Sequence, residues 1–508
     1  MLIMHFDMFI DICGQIDLLI CCGDFQAVRN IGDLKCMAVP DKFLDMNTFY
    51  KYYSGKAIAP VLTLFIGGNH EASNYLAELG YGGWVAPNIY FLGYAAVVNF
   101  GGIRIAGLSG IYKGYDYLKG RHECPPYDYS SKKTVYHIRN IDVFRLKQIT
   151  GDIDIGLSHD WPRGIHQYGD VQSLLRVKSF FRDDINENKL GSRPTEDLLY
   201  KLKPNYWFSA HLHVKFAAIV KHKSEVEGKC DKITKFLSLD KCLPHRKFLQ
   251  VINVDRKDDK EGEAVLEYDR DWLCILKSTS HLNSAASQNV HMPGPGCSDR
   301  YDFEPTDEER QAMDVIFPVG YRIPQNFVRT SEVYEPKDEN AKPDLRNYTP
   351  AMPKLNPQTT QLCLKLGIID PMAAIMVAHG IDVPDVPDVP SPPVSPRNWS
   401  FVDESELDVT ATHEKTINPD QQSLLEESEC EITSAHQQTT NPDEQSLLEE
   451  SECGSKEQRM DDCSRNISPD QLKEDAEGDH RLPTLSAKKF KRRNLELYTS
   501  TDCNDDDE

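Results

Sequence analysis

One stretch, Gly67-Gly-Asn-His-Glu71, set directly after the apolar run Val61-Leu-Thr-Leu-Phe-Ile66, constrains this chain more than any other. A short run dense in branched and aromatic residues, closed by two glycines, reads as a buried strand that stops abruptly and hands Asn69, His70 and Glu71 to the loop beyond it. Such loops, at the carboxyl ends of strands, are where ligands sit in an α/β sheet. The arrangement recurs at Asp17-Leu-Leu-Ile-Cys-Cys-Gly-Asp24, at Ile153-Asp-Ile-Gly-Leu-Ser-His159-Asp160 and at Tyr206-Trp-Phe-Ser-Ala-His211-Leu-His213. Four strand-like runs thus end in metal-compatible side chains, and the expected class is α/β.

Between these runs the α/β rhythm is regular. Helices are expected over 33–46, 48–53, 140–148, 171–187 and 195–202, and further strands over 89–92, 95–99, 103–108, 235–240, 248–254 and 264–268. Asn356-Pro-Gln-Thr-Thr-Gln-Leu-Cys-Leu-Lys-Leu-Gly367 places Pro in the first helical turn and Gly at the stop, which marks a helix. Beyond it the composition shifts to the Pro-rich segment 383–396, to two copies of Asn-Pro-Asp-Gln/Glu-Gln-Ser-Leu-Leu-Glu-Glu-Ser-Glu-Cys at 418–430 and 441–453, and to the basic cluster Lys488-Lys-Phe-Lys-Arg-Arg493. Two acidic, aromatic-poor copies cannot stack a solenoid core, so this region is expected to be disordered. The basic cluster is open to two readings, a nuclear-import signal or a solvated charge run.

A net charge of -22 on 508 residues argues against whole-chain attraction to a polyanion, so any nucleic-acid site must be local. One candidate is the Pro- and Gly-interrupted segment 112–133, where Tyr112, Lys113, Tyr115, Tyr117, Lys119, Arg121, His122, Tyr127, Tyr129, Lys132 and Lys133 concentrate. Cations neutralise phosphates and aromatic rings offer stacking faces to an unpaired nucleotide. An ordinary surface loop with aromatic anchors is the bland alternative. The 14 cysteines show no small-scaffold spacing, which favours a reducing compartment, and no run is long enough to span a membrane.

Asp, Asn and His on separate strand ends make a mixed O/N ligand set that suits Fe, Zn or Mn. A carboxylate bridging two ions about 3.5–4 Å apart lets one generate hydroxide while both clamp phosphate oxygens. Asp24 is the natural bridging candidate. The order Gly-Asp, Gly-Asn-His-Glu, strand-end His and His-x-His resembles the calcineurin-like metallophosphoesterase superfamily over residues ~17 to ~215. Within it, Cys21-Cys-Gly-Asp-Phe-Gln-Ala-Val-Arg-Asn30, Tyr81-Gly-Gly-Trp-Val-Ala-Pro-Asn-Ile89, Leu157-Ser-His-Asp-Trp-Pro-Arg163, Trp207-Phe-Ser-Ala-His-Leu-His-Val-Lys-Phe216, Asp240-Lys-Cys-Leu-Pro-His-Arg246 and Asn356-Pro-Gln-Thr-Thr360 resemble the RNA lariat debranching enzymes.

That resemblance implies a metallophosphoesterase β-sandwich flanked by helices over 1–235, a smaller C-terminal domain over 236–372 and a disordered acidic tail over 373–508. It implies a divalent-metal-dependent phosphodiesterase, using Fe(II), Zn or Mn at two sites, that hydrolyses the 2′–5′ branch-point bond of excised intron lariat RNA in the nucleus. It acts as a monomer without a membrane partner. Carried over by position, Asp24 bridges the metals, Asn69, His159 and His211 complete one pocket and His213 belongs to the other. His70 contacts the scissile phosphate and protonates the leaving oxygen. The segment from Tyr112 to Lys133 resembles the family's lariat-recognition loop, so Tyr112, Lys113, Tyr115, Tyr117, Lys119, Arg121 and His122 are expected at the substrate. Trp84 is read either as a further substrate contact or as a core anchor.

The start of the chain departs from the family. Members begin with a strand ending in Cys-x-His or Asp-x-His, followed by a helix; here His5-Phe-Asp7 has the spacing in reverse order, and neither residue is assigned to the metal. With Asp24 and His213 alone in the second pocket, impaired activity is expected. Two other classes compete: a non-catalytic branched-RNA-binding protein and a generic metallophosphoesterase for small phosphodiesters.

Overall fold

Strands β1 (Leu19–Cys21), β2 (Thr63–Phe65), β3 (Gly83–Ala86) and β4 (Ile89–Phe91) form a four-stranded sheet in the order β1-β2-β4-β3. Strands β5 (Ala95–Phe100), β6 (Ile103–Leu108), β7 (Ile155–Ser158), β8 (Tyr206–Ser209), β9 (Phe216–His222), β10 (Lys232–Ser238) and β11 (Leu266–Tyr268) form a seven-stranded one in the order β11-β5-β6-β7-β8-β10-β9. This computed structural model describes residues 16–223, 231–258, 262–336, 344–346 and 348–384. The expectations for His5 and Asp7, for most of the Pro-rich segment, for the repeat and for the basic cluster lie outside the described residues.

The strands that carry the candidate ligands are parallel to their neighbours: β1 with β2, β6 with β7 and β7 with β8. Parallel strands with both faces covered read as continuous apolar runs, which is why β2 and β7 are buried at every position. Their common direction delivers residues 22–24, 159–160 and 210–213 to the carboxyl edges, with the loop 66–71 after β2. The loop after β1 is pinned to the core by Phe25, whose ring stacks on Phe65 at 4.2 Å. By contrast β9, at the sheet edge, alternates buried and exposed residues along its length.

Some expected elements change form. The helix expected over 33–46 is the short helix Ile31–Lys35 followed by a 3-10 turn at Asp41–Phe43, because Pro40 lacks an N–H and disfavours helix in the residue before it. The run 248–254 forms no strand; Val251 and Ile252 are exposed, so its apolar side chains do not alternate into a core. The boundaries expected at 235/236 and 372/373 fall inside β10 and inside the helix Pro371–Ala378, and β10 lies between β8 and β9.

The C-terminal segments pack on the same unit. The helix Arg270–Ser278 contributes Leu273 and Leu276 to a cluster with Met313, Leu362 and Leu366. The helix Pro357–Leu366 starts with Asn356 capping the Gln358 amide and ends at Gly367, whose φ of +68° is left-handed. Gln358 reaches the edge of β3: its Oε1 accepts the Trp84 amide at 2.7 Å and its Nε2 donates to the Trp84 carbonyl at 2.9 Å. Among the described residues no single helix is long and apolar enough to cross a membrane.

Candidate metal centre

Two glycines set the distance between the strand-end loops. A Cβ on Gly23 would lie 2.3 Å from Nδ1 of His159, and one on Gly68 would lie 2.3 Å from Oδ1 of Asp24. No side chain fits at either place. The ligands that follow are held in a left-handed backbone, with φ of +53° at Asp24, +63° at His211 and +50° at His213. Each such residue costs roughly 1–3 kcal/mol, and strain of this kind clusters at functional sites.

The donor atoms face one another. Asp24 Oδ1 lies 3.4 Å and Asn69 Oδ1 lies 3.2 Å from Nε2 of His159. His159 Nδ1 stands 2.7 Å from the Cys22 carbonyl oxygen, which can only accept, so Nδ1 carries a hydrogen and Nε2 is the ring atom turned toward Asp24 and Asn69. Two oxygens and a ring nitrogen thus converge, a donor set that suits a cation. Ligand atoms each about 2.1 Å from one ion stand roughly 3–3.4 Å apart at ordinary coordination angles. A backbone carbonyl behind a ligating imidazole is the usual way its tautomer is fixed. Among the described residues no three His, Cys, Asp or Glu side chains form a cage by themselves; the trio is completed here by the amide oxygen of Asn69.

Electrostatics favours the ligand forms. Burial works to raise the Asp24 carboxyl, but the charges of His159 and His70 and the His70 amide, 2.9 Å from Oδ1, hold it well below the usual carboxylate range. Burial, then the neighbouring His159, keeps His211 well below the usual imidazole range. Burial and the charge of Lys241 push His213 down to about 3. Both rings are therefore neutral at physiological pH, the form that binds a metal. The His159 and His211 rings lie 4.9 Å apart. His70 is fixed by its backbone at Asp24, while its buried Nδ1 meets no hydrogen-bond partner among the described residues.

Two carboxylates hold this arrangement and were not singled out from the sequence. Glu71, fully buried, accepts the amides of Phe25, Gln26 and Gly68 at 3.0, 2.8 and 2.9 Å and so ties the Asp24 loop to the Asn69 loop. Burial and the charge of Asp24 push it up to about 8 against those three donors. Asp160, also buried, accepts the Tyr112 amide at 2.7 Å and places Oδ1 3.6 Å from Nε2 of His211. Both stand in the strand-end motifs, but nothing there marks the backbone amides they accept.

The segment expected to recognise substrate is internally braced. Buried Asp116 accepts from His137 at 2.6 Å and from Lys119 at 2.8 Å, and Arg139 joins the Asp116 carbonyl at 2.7 Å to Glu123 at 2.5 Å. Tyr112, Lys113, Tyr117 and His122 are half-buried around this frame, and the rings of Tyr112 and Tyr117 meet edge to face. Tyr115 and Tyr129 are exposed.

Two expectations are corrected. Arg121 pairs with Asp142 and lies over the Tyr94 ring, so its guanidinium is committed inside the fold. Trp84 is fully buried and donates to the Pro324 carbonyl at 2.8 Å, which makes it a core anchor.

Comparison with known proteins shows the family. A family model described as calcineurin-like phosphoesterase matches residues 3–215, and one described as lariat debranching enzyme, C-terminal domain, matches residues 231–371. The chain is 50% identical over 407 residues to a lariat debranching enzyme of Drosophila melanogaster, covering 73% of this chain and 75% of that one. It is 52% identical over 358 residues to that of Homo sapiens, 70% of this chain and 64% of the relative. To that of Arabidopsis thaliana it is 48% identical over 356 residues, 70% and 79% of the two chains.

Proposed function

The chain belongs to the lariat debranching enzyme family, and from that premise we propose that it hydrolyses the 2′–5′ phosphodiester at the branch point of excised intron lariat RNA. The observation that carries the reading is the convergence of Asp24 Oδ1 and Asn69 Oδ1 on His159 Nε2, at 3.4 and 3.2 Å. These residues, with His211 and His213, would hold a divalent ion, and Fe(II), Zn and Mn all suit the O/N set. The chemistry such an ion supplies is Lewis-acid stabilisation of phosphoryl oxygens and a lowered pKa for attacking water.

The chain's own residues do the rest. Asp24 orients the loop that carries His70 through the 2.9 Å contact with the His70 amide. His70, with a ring nitrogen not engaged by any described residue, is the proton donor to the departing 2′ oxygen. The braced segment presents exposed Tyr115 and Tyr129 as stacking faces for the branch nucleotides, with Tyr112, Lys113, Tyr117, Lys119 and His122 lining its root. Because this frame is tied together before substrate arrives, less ordering has to be offset on binding. Lariat RNA as substrate supports a nuclear location.

The test compares a branched oligonucleotide carrying a 2′–5′ bond, its linear 3′–5′ counterpart and a small chromogenic diester, alongside metal stoichiometry. Selective cleavage of the branched RNA, lost in His70→Ala, is expected. Binding of branched RNA without turnover would overturn the reading in favour of a binding protein, and cleavage of the small diester alone in favour of a generic phosphodiesterase.

A further inference from the structure

The segment Asp240-Lys-Cys-Leu-Pro-His-Arg-Lys247 has no part in the chemistry above, yet the sheet brings it to the metal centre. β8 and β10 are parallel and end together, Ser209 opposite Ser238, so residues 239–241 leave the same edge as His211. β10 and β9 are antiparallel with Ser238 opposite Phe216. Lys215 directly precedes β9 and Leu239–Lys241 directly follow β10, so both segments start from this paired end. The chain then turns back, and the Asp240 amide donates to the Lys247 carbonyl at 3.1 Å.

Lys215, just before β9, and Lys241 and Lys247, both in the segment after β10, therefore share one rim of the site. Lys215 and Lys247 are exposed and Lys241 half-buried. Lys215 Nζ donates to the neutral Gln250 side chain at 3.1 Å, and the one acid of the segment, Asp240, faces Arg246 at 3.5 Å. Among the described residues no carboxylate pairs with Lys215, Lys241 or Lys247. An uncompensated cationic rim in a chain of net charge -22 is a local attractor for polyanion.

We infer that Lys215, Lys241 and Lys247 form a ridge that binds the phosphodiester backbone of single-stranded RNA on the His213 side of the centre. This rests on the reading of the site as an RNA-processing centre. The aromatic segment would hold the branch, and the ridge would hold an arm of RNA leaving it. The three ridge residues are lysines, so their own contribution is electrostatic and indifferent to base sequence.

The test is the salt dependence of equilibrium binding of the full chain to a linear single-stranded RNA and to a branched RNA with extended arms. Each phosphate contact in a single strand contributes about 0.7 to the slope of log K against log salt. The triple change Lys215→Gln, Lys241→Gln, Lys247→Gln is expected to flatten the slope by about 2 on both RNAs, and Lys247→Glu alone by about 0.7 or more. An unchanged slope overturns the ridge, even if the branched RNA is cleaved. A flattened slope on linear RNA supports it even if no branched RNA is cleaved, so the two readings fail separately. Thermal unfolding checks the triple variant; should it not fold, the slope of Lys247→Glu decides.

Discussion

The carboxylate of Asp160 accepts the backbone N–H of Tyr112 at 2.7 Å with one oxygen and faces Nε2 of His211 at 3.6 Å with the other. A single buried side chain thus joins the first residue of the aromatic segment to the edge of the metal centre. Its own carbonyl is fixed by the Ser158 hydroxyl at 2.6 Å, so the joint is anchored in β7. Recognition and chemistry are registered to each other through it.

Removing that joint should separate the two functions measurably. Groups that orient metal ligands typically cost 10–100-fold in metal affinity or activity when lost. Asp160→Ala is expected to lower kcat/KM on branched RNA by about that factor, with KM raised as Tyr112 loses its anchor. Asp160→Asn keeps an acceptor for the Tyr112 amide and should recover the KM component. Steady-state kinetics of both variants decide it; identical KM values in the two would sink the proposal that Asp160 places the segment.

Gly68 is a purely steric requirement, because its backbone is not in the left-handed region and its missing Cβ would sit 2.3 Å from Asp24 Oδ1. Gly68→Ala should displace Asp24, weaken metal retention and cost about 1–3 kcal/mol of stability through overpacking. Metal content after gel filtration and a denaturant titration report the two effects.

The Asp116–His137 pair makes the aromatic segment acid-sensitive. Burial works to raise Asp116, but bonds from His137 and Lys119 hold it down at about 2, below its ordinary value. Its stabilisation is therefore complete above about pH 4 and lost as pH falls toward 2. His137 is itself shifted down, chiefly by burial, so the folded state also resists its protonation as pH drops below the ordinary imidazole range. Both groups bind more protons when unfolded, and both signs predict falling stability on acidification. The midpoint of thermal unfolding, followed from pH 7 to pH 3, should drop less steeply in His137→Gln, which starts about 1–3 kcal/mol less stable because Asp116 loses a partner.

Gln358→Ala would leave the amide and carbonyl of Trp84 without partners in a buried setting. Each such group costs about 1–3 kcal/mol, so a loss of roughly 2–5 kcal/mol is expected in urea unfolding, with the metal centre unaffected in holo protein. Gln358→Glu, which keeps one acceptor but no donor, should fall between.

The convergence of these strand ends was legible because each candidate ligand follows an apolar run that forms a strand. Asp24, Asn69, His159 and His211 come after β1, β2, β7 and β8, and the glycines at 23 and 68 marked the close approach. Where the sequence misled, side chains had two compatible fates. Arg121 and Trp84 carry the chemistry of nucleic-acid contacts, yet Asp142 with Tyr94 and the Pro324 carbonyl claim them in the core. The run 248–254 has the composition of a strand but finds no ladder partner. Glu71 and Asp160 act through backbone amides distant in sequence, and no local pattern encodes such contacts.

The pair of hydrogen bonds from Gln358 to Trp84 has a consequence for partial products of this chain. β3 is the outer strand of the four-stranded sheet, and the Gln358 amide occupies backbone groups there that a further strand would take. A polypeptide stopped short of residue 356 would present that edge bare, beside the large apolar surface of Trp84. Open edges of this kind recruit other chains, so truncated forms are expected to self-associate, and the helix Pro357–Leu366 serves as a guard against aggregation.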